Sequence, residues 1–253
     1  NTSGPQTEID IRFIFGKQIS LIGSTMGSHQ DFHDVMNLLW SGRLKPVIHN
    51  IMPLIVDGAT SLLRQAELRG IEIETIALNA SPKQIMSDGF ALTVLSMLDM
   101  RNVAHERIEV EVTESVLAQD MAQVLSELHI LRMAGIKVAL DDFGTGYSSL
   151  NMLLELPLDT VKIDRAFITE LESSDEARRM LKHLIDIAKV LGLQVVAEGV
   201  ESDVQLQYLL DHGCDVVQGF LISRALSESQ YLEMVAEWGV GRPALPRTSS
   251  LQF

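Results

Sequence analysis

Seven polar side chains fall within or just after short β-branched runs, and their types suit chemistry on charged substrates. Asn79 closes Thr75-Ile76-Ala77-Leu78, and Glu111 sits in Ile108-Glu109-Val110-Glu111-Val112. Asp141 and Asp142 follow Ile136-Lys137-Val138-Ala139-Leu140, and Lys162 lies in Thr160-Val161-Lys162-Ile163. Glu198 follows Gln194-Val195-Val196-Ala197, and Gln218 lies in Val216-Val217-Gln218-Gly219-Phe220. Carboxylate and amide oxygens are hard donors that suit Mg²⁺ or Mn²⁺. Lys162 adds a compact positive charge. Without a cation, such acids would repel and raise one another's pKa. Any single strand-end acid is more simply a helix N-cap, but so many in phase favour a shared site.

The elements that must position these residues alternate. Amphipathic stretches at Val56–Arg69, Gly89–Met100, Met121–Ala134, Glu176–Leu191 and Val204–His212 fit helices between the β-branched runs. Strand and helix in alternation imply a parallel sheet. Gly70, Gly135, Gly192 and Gly213 stand where C-caps are expected. Six such units, with room for more upstream, favour a closed barrel, whose strand ends converge on one face. Asp175-Glu176 ahead of Arg178-Arg179 reads as a helix start. No clear repeat is legible.

Composition narrows the class. The 253 residues carry 20 Lys+Arg against 34 Asp+Glu, a net charge of −14, with 46% hydrophobic residues. That excludes wholesale disorder and argues against charge-driven wrapping of duplex nucleic acid. No apolar run is long enough for a membrane span, and no secretory pattern opens the chain, so a cytoplasmic protein without membrane contact is expected. The single cysteine, Cys214, excludes a disulfide framework and reads as a small apolar filler. Met97, Met100 and Met133 read as core.

Five motifs in order carry a specific likeness. They are Glu111-Val112-Thr113-Glu114-Ser115, Asp141-Asp142-Phe143-Gly144-Thr145-Gly146-Tyr147-Ser148-Ser149-Leu150, Val161-Lys162-Ile163-Asp164, Ala197-Glu198-Gly199-Val200-Glu201 and Gln218-Gly219-Phe220. Over about residues 54–240 the chain resembles the EAL-domain family, cyclic dimeric GMP phosphodiesterases on a modified TIM-like (β/α)8 barrel. The resemblance implies metal ligation by Asn79, Glu111, Asp141 and Asp142, with Mg²⁺ or Mn²⁺ in a two-metal site. It implies that Lys162 holds the attacking water and phosphate, and that Glu198 is the catalytic glutamate. Gln218 and Glu201 match further active-site positions. Glu114 matches the residue that steadies the loop of Phe143, Gly144, Thr145 and Gly146, which the family links to dimerisation, so a homodimer is expected.

The N-terminus departs from that pattern. The family's Glu-Ala-Leu motif is absent, and its usual spacing lands in Ile19-Ser20-Leu21-Ile22-Gly23, where no carboxylate exists. Residues 8–54 instead resemble the C-terminal part of a medium-chain alcohol dehydrogenase or quinone reductase, through Lys17-Gln18-Ile19-Ser20-Leu21-Ile22-Gly23-Ser24-Thr25-Met26-Gly27-Ser28 and Gly42-Arg43-Leu44-Lys45-Pro46. The expected organisation is therefore a dehydrogenase-like segment at 1–54 completing the barrel, an EAL-type barrel at 55–240 and a tail at 241–253. The missing glutamate leaves the first metal site incomplete, so weak or absent turnover is expected. The alternative is a catalytically inactive EAL-like receptor or dimerisation module. His29 and His33, four apart, are a weak metal signal, since two exposed helix histidines need no explanation.

Overall fold

The computed structural model describes residues 52–145 and 150–239. The expectations for residues 1–51, for Gly146 to Ser149 and for the tail lie outside them. Helix α1 (Met52–Leu68) leads into strand β1 (Ile76–Ala80), the short α2 (Pro82–Ile85) and α3 (Phe90–Met100). Then come β2 (Ile108–Thr113), α4 (Met121–Met133), β3 (Lys137–Phe143), α5 (Leu150–Glu155) and β4 (Thr160–Ile163). The chain continues through α6 (Arg165–Thr169), α7 (Asp175–Val190), β5 (Gln194–Glu198), α8 (Asp203–Asp211), β6 (Val216–Gln218) and α9 (Glu228–Gly239).

The six strands form one sheet in sequential order, every neighbouring pair parallel. The expected eight-stranded closure is not seen among the described residues, whose sheet runs from β1 to β6. The last strand is also shorter than its β-branched run: Gly219 and Phe220 have left the ladder and turn.

Strand alternation sorts the side chains. Ile108, Val110, Val112, Val138, Leu140, Val161, Ile163, Val195 and Ala197 are fully buried. They belong to the same core as the buried stripes of the helices, such as Val94 and Leu98 on α3, Leu128 and Leu131 on α4, and Leu181 and Ile185 on α7. Each such side chain contributes about 1.5–3 kcal/mol on burial, which holds helix to sheet. Met100 and Met133 correct the expectation of core methionines: they are 70% and 89% exposed. Each is the last residue of its helix and falls off the 3.6-residue stripe that its helix buries.

Helix ends follow local chemistry. The four expected C-cap glycines all adopt positive φ, between 68° and 96°, the conformation that closes a helix without a Cβ penalty. Ser174 caps α7 by accepting a hydrogen bond from the Ala177 amide at 3.1 Å. Helix α3 begins at Gly89, which has no capping side chain, and Glu127 of α4 accepts from the Ala91 amide at 2.7 Å instead.

The structure also reveals a repeat that the sequence hides. Asp159, just before β4, accepts from the Val138 amide at 3.0 Å and pairs with Arg132 near the end of α4 at 2.9 Å. Asp215, just before β6, accepts from the Val195 amide at 2.7 Å and pairs with Lys189 near the end of α7. Backbone bonds match too: Asp159 N–H donates to Val138 O, and Asp215 N–H to Val195 O. The same clip therefore pins β3 to β4 and β5 to β6.

Candidate active site

In a parallel ladder, register partners point to the same face. Asn79 pairs with Glu111, Glu109 with Lys137, Thr113 with Asp141, Lys162 with Val196, and Glu198 with Gln218. The face opposite the apolar core thus gathers the oxygen-bearing residues. The C-terminal halves of the strands bring three of them into contact with Lys162. Lys162 Nζ lies 2.8 Å from Glu111 Oε1, 3.4 Å from Asp141 Oδ1 and 2.6 Å from Glu198 Oε1. Four strands in succession, β2 to β5, each supply one of these side chains.

Burial makes the cluster electrostatically consequential. The side chains of Lys162 and Glu111 are 6% and 8% exposed, and those of Asp141 and Glu198 15% and 21%. Desolvation raises the pKa of Glu111 and of Glu198, and neighbouring acids add to the rise, although Lys162 opposes it. Desolvation alone would lower the Lys162 pKa. The carboxylates of Glu111, Asp141 and Glu198 outweigh it and hold the ammonium above its ordinary range.

A β-bulge explains how two consecutive aspartates serve one site. Leu140 pairs with Val161 and Phe143 with Ile163, so Asp141 and Asp142 together stand opposite Lys162 alone. Successive side chains of a regular strand point to opposite faces; the extra residue breaks that rule. Asp142 takes φ 57°, an unusual left-handed conformation for a residue with a side chain. Its pKa is raised by burial and then by the charges of Asp141 and Asp164. Asp141 Oδ1 accepts from the Asp142 amide at 3.0 Å, and the Thr145 hydroxyl donates to Asp142 O at 2.9 Å, which fixes the turn. A Cβ on Gly144 would lie 2.8 Å from the Phe167 ring, so this loop packs directly against α6.

Not every expected residue joins the cluster. Asn79 is exposed on β1 beside Glu111 in register. Gln218 is exposed and pairs with Glu198 in register. Glu201 departs further: its carboxylate forms an ion pair with Arg165 at 2.7 Å. Phe143 and Glu114 are buried, Glu114 opening a short turn after β2. Of the expected loop, Gly144 and Thr145 follow the bulge as described above, and Gly146 lies outside the described residues. The simple N-cap reading applies to Asp164, which caps α6 through the Ala166 amide at 2.8 Å. Asp141 and Glu198 cap no helix; they meet Lys162, and Asp141 also accepts from the next amide.

Among the described residues, no three acidic or imidazole groups are arranged as a ready metal cage. The acids are drawn onto the ammonium instead. Their chemistry nevertheless fits a hard divalent cation: Glu111, Asp141 and Glu198 meet on one lysine, Asp142 follows Asp141 in the bulge, and burial raises the pKa of Glu111, Asp142 and Glu198.

Sequence reasoning missed the residues that hold the loop after β5. Val200 N–H donates to Gln218 O at 3.1 Å, and Leu221 N–H to Val200 O at 3.0 Å. A Cβ on Gly219 would lie 2.2 Å from Val200 O and 2.3 Å from Val200 N. The two glycine-bearing motifs at 197–201 and 218–220 therefore interlock backbone to backbone. Arg165 and Gln205 hold the same loop through Glu201, and the Ser-x-x-Gln spacing of Ser202 and Gln205 was the available signal for the latter.

Parallel strands alternating with helices, with acids from successive strand ends gathered on one lysine, define an α/β domain of barrel type with an acid-rich site at its strand ends. The family model of the EAL domain matches residues 45–225, and the chain belongs to that family. Among curated proteins it is 39% identical over 164 residues to the cyclic di-GMP phosphodiesterase NbdA and 34% identical over 158 residues to the cyclic di-GMP phosphodiesterase RocR, both of Pseudomonas aeruginosa. These alignments cover 65% and 62% of the chain but only 21% and 40% of those proteins, so the chain spans two fifths or less of their length. Among solved structures it is similar to the PaMucR phosphodiesterase in complex with c-di-GMP, with 31% identity, 80% and 78% of the two chains covered and a TM-score of 0.67. It also matches the manganese and cyclic-di-GMP complex of Klebsiella pneumoniae BlrP1, with 28% identity, 69% and 44% coverage and a TM-score of 0.62. No helix among the described residues is long and apolar enough to cross a membrane.

Proposed function

We propose that this domain binds cyclic dimeric GMP across its strand-end cluster and hydrolyses one of the two phosphodiesters, giving linear pGpG. The observation that carries the reading is the convergence of Glu111, Asp141 and Glu198 on Lys162 Nζ at 2.6–3.4 Å. Its similarity to NbdA and RocR, cyclic di-GMP phosphodiesterases, and to the PaMucR phosphodiesterase supports it. Asn79, Glu111, Asp141 and Asp142 would hold Mg²⁺ or Mn²⁺, which supplies Lewis-acid stabilisation of charge on the phosphate and lowers the pKa of water. Lys162 orients the water and phosphate and offsets developing negative charge. Glu198 accepts the proton that leaves the water as the P–O bond to it forms, and the opposite P–O3′ bond breaks. The leaving 3′ oxygen takes up a proton.

Turnover is weak in this reading, because no Glu-Ala-Leu glutamate completes the first metal site. That same absence favours a second reading, a receptor or dimerisation module that binds the dinucleotide without cleaving it. Incubation with cyclic dimeric GMP and Mn²⁺, with Glu198→Gln as the matched control, separates the two. Linear dinucleotide from the parent and none from Glu198→Gln is the expected result. Binding without cleavage by either protein establishes the receptor, and neither binding nor cleavage overturns both readings.

A further inference from the structure

Three Ser-x-x-Gln boxes start helices among the described residues, and one of them does more than cap. At Ser81 the amide and hydroxyl donate to Gln84 Oε1 at 2.9 and 2.7 Å, and at Ser227 they donate to Gln230 Oε1 at 3.0 and 2.9 Å. Both glutamines return only to their own serine, as a capping box requires. Gln205, the third, is 7% exposed. Its Oε1 accepts from the Ser202 amide at 3.2 Å and, at the shorter distance of 2.7 Å, from the Glu201 amide. Its Nε2 donates to Ile168 O on α6 at 3.3 Å.

A buried side-chain amide costs stability unless all its groups are paired. The pairing here ties together two segments. One is α6 with its cap, which follows β4 and carries Asp164, Arg165 and Ile168, immediately after Lys162 and Ile163. The other follows β5 and carries Gly199 to Ser202, immediately after Glu198. A second tie runs parallel to the first at the surface. Arg165 lies across Gly199, its Cγ 2.3 Å from where a Cβ would stand, and its guanidinium reaches Glu201 at 2.7 Å. Gly199 can accept this contact at φ 72°, a conformation open to a residue without a Cβ.

From this we propose that Gln205 is a positioning residue: a buried amide that fixes the loop after β5, and through it the Glu198 carboxylate, against Lys162. Arg165 acts in the same direction from the surface. The consequence for catalysis rests on the reading of Glu198 given above; the positioning itself does not.

The test uses the whole chain. Crystal structures of Gln205→Ala and Gln205→Glu are compared with the parent, and cleavage of cyclic dimeric GMP with Mn²⁺ is measured for all three. Gln205→Glu keeps the acceptor for the Glu201 and Ser202 amides and loses only the donor to Ile168. Gln230→Ala, at an exposed cap, is the control. In Gln205→Ala the Lys162–Glu198 contact is expected to open beyond about 3.5 Å, the limit of a hydrogen bond, while Glu111 stays on Lys162. The kcat falls about tenfold or more with KM little changed, Gln205→Glu recovers much of it, and Gln230→Ala matches the parent. If Gln205→Ala does not fold, Gln205→Glu carries the test through a smaller opening of the same contact. A Lys162–Glu198 contact that persists in both variants overturns the proposal. A contact that opens in a protein whose parent cleaves nothing upholds the positioning and counts instead against the phosphodiesterase reading.

Discussion

Replacing Lys162 with methionine isolates the electrostatic strain at the site. The substitution keeps most of the aliphatic bulk and removes the one ammonium that Glu111, Asp141 and Glu198 share. At an effective dielectric near 20, each pair at these separations carries a gross attraction of about 5–6 kcal/mol. Desolvation and repulsion among the acids cancel much of that. Removing one partner of a buried ion pair generally costs about 3–5 kcal/mol, because the remaining charge is left buried without its counterion. For a domain of this size such a loss lowers Tm by roughly 6–20 °C. Glu111 and Glu198 already have raised folded pKa values, and losing Lys162 raises them further. A carboxylate raised in the folded state makes that state bind more protons, so stability falls as pH climbs through the raised value. The deficit of Lys162→Met should therefore be larger at about pH 8 than at about pH 5, shrinking as falling pH favours the protonated form of the raised acids. In the parent, the stabilising share of Lys162 is complete below the ordinary lysine range. It is lost only as pH rises through the elevated value. Thermal melts of parent and variant in chelator, at both pH values, make the measurement. A variant that melts with the parent at pH 8, or a deficit that is the same at both pH values, refutes the account.

Two further outcomes are expected. Gly219→Ala drives a Cβ into the Val200 backbone at 2.2–2.3 Å, which no side-chain rotation can relieve. A loss of about 1–3 kcal/mol in denaturant unfolding is expected, and an unchanged midpoint would show that the two backbones can separate freely. Cys214 is 7% exposed, and burial pushes its thiol up to about 11. It should resist alkylation at pH 8 until the chain unfolds, and rapid labelling of the native protein would contradict its place in the core.

The elements were legible because two physical periods dominate this sequence. Val110 and Val112 alternate with Glu109 and Glu111, and the buried residues of α7 recur at helical spacing, so strand and helix declare themselves locally. The site was legible to the same extent: acids three residues into a strand or at its end must share a face once the strands are parallel. The bulge at Asp141-Asp142 was not, since strict alternation would send the pair to opposite faces and only the pairing with β4 reveals the extra residue. Glu201 was placed at the site by likeness alone, and nothing in its spacing announced Arg165 as its partner. Gln205 was invisible for a different reason. A Ser-x-x-Gln spacing predicts a cap, and only packing decides whether the amide ends at its serine or continues to a neighbouring helix.

The hidden repeat accounts for where the reactive groups stand. Arg132 to Asp141 and Lys189 to Glu198 share only a glycine and a valine at equivalent positions, too little to show in sequence. The clip aligns them all the same. Asp141 lies three residues beyond Val138, whose amide Asp159 holds, and Glu198 lies three beyond Val195, whose amide Asp215 holds. Lys162 is three beyond Asp159, and Gln218 three beyond Asp215. Each clip at the N-terminal end of a strand pair thus sets the height of an acid and of its polar neighbour at the far end. The two neighbours are not equivalent in reach. Strand β4 lies between β3 and β5, so a cation at position 162 can serve acids on both sides, whereas Gln218 on β6 has Glu198 as its register partner on β5. An ammonium on β4 compensates Asp141 and Glu198 together, and reaches Glu111 one strand further. The same charge on β6 would leave Asp141 without its counterion, which is a physical reason for lysine at 162 and an uncharged amide at 218.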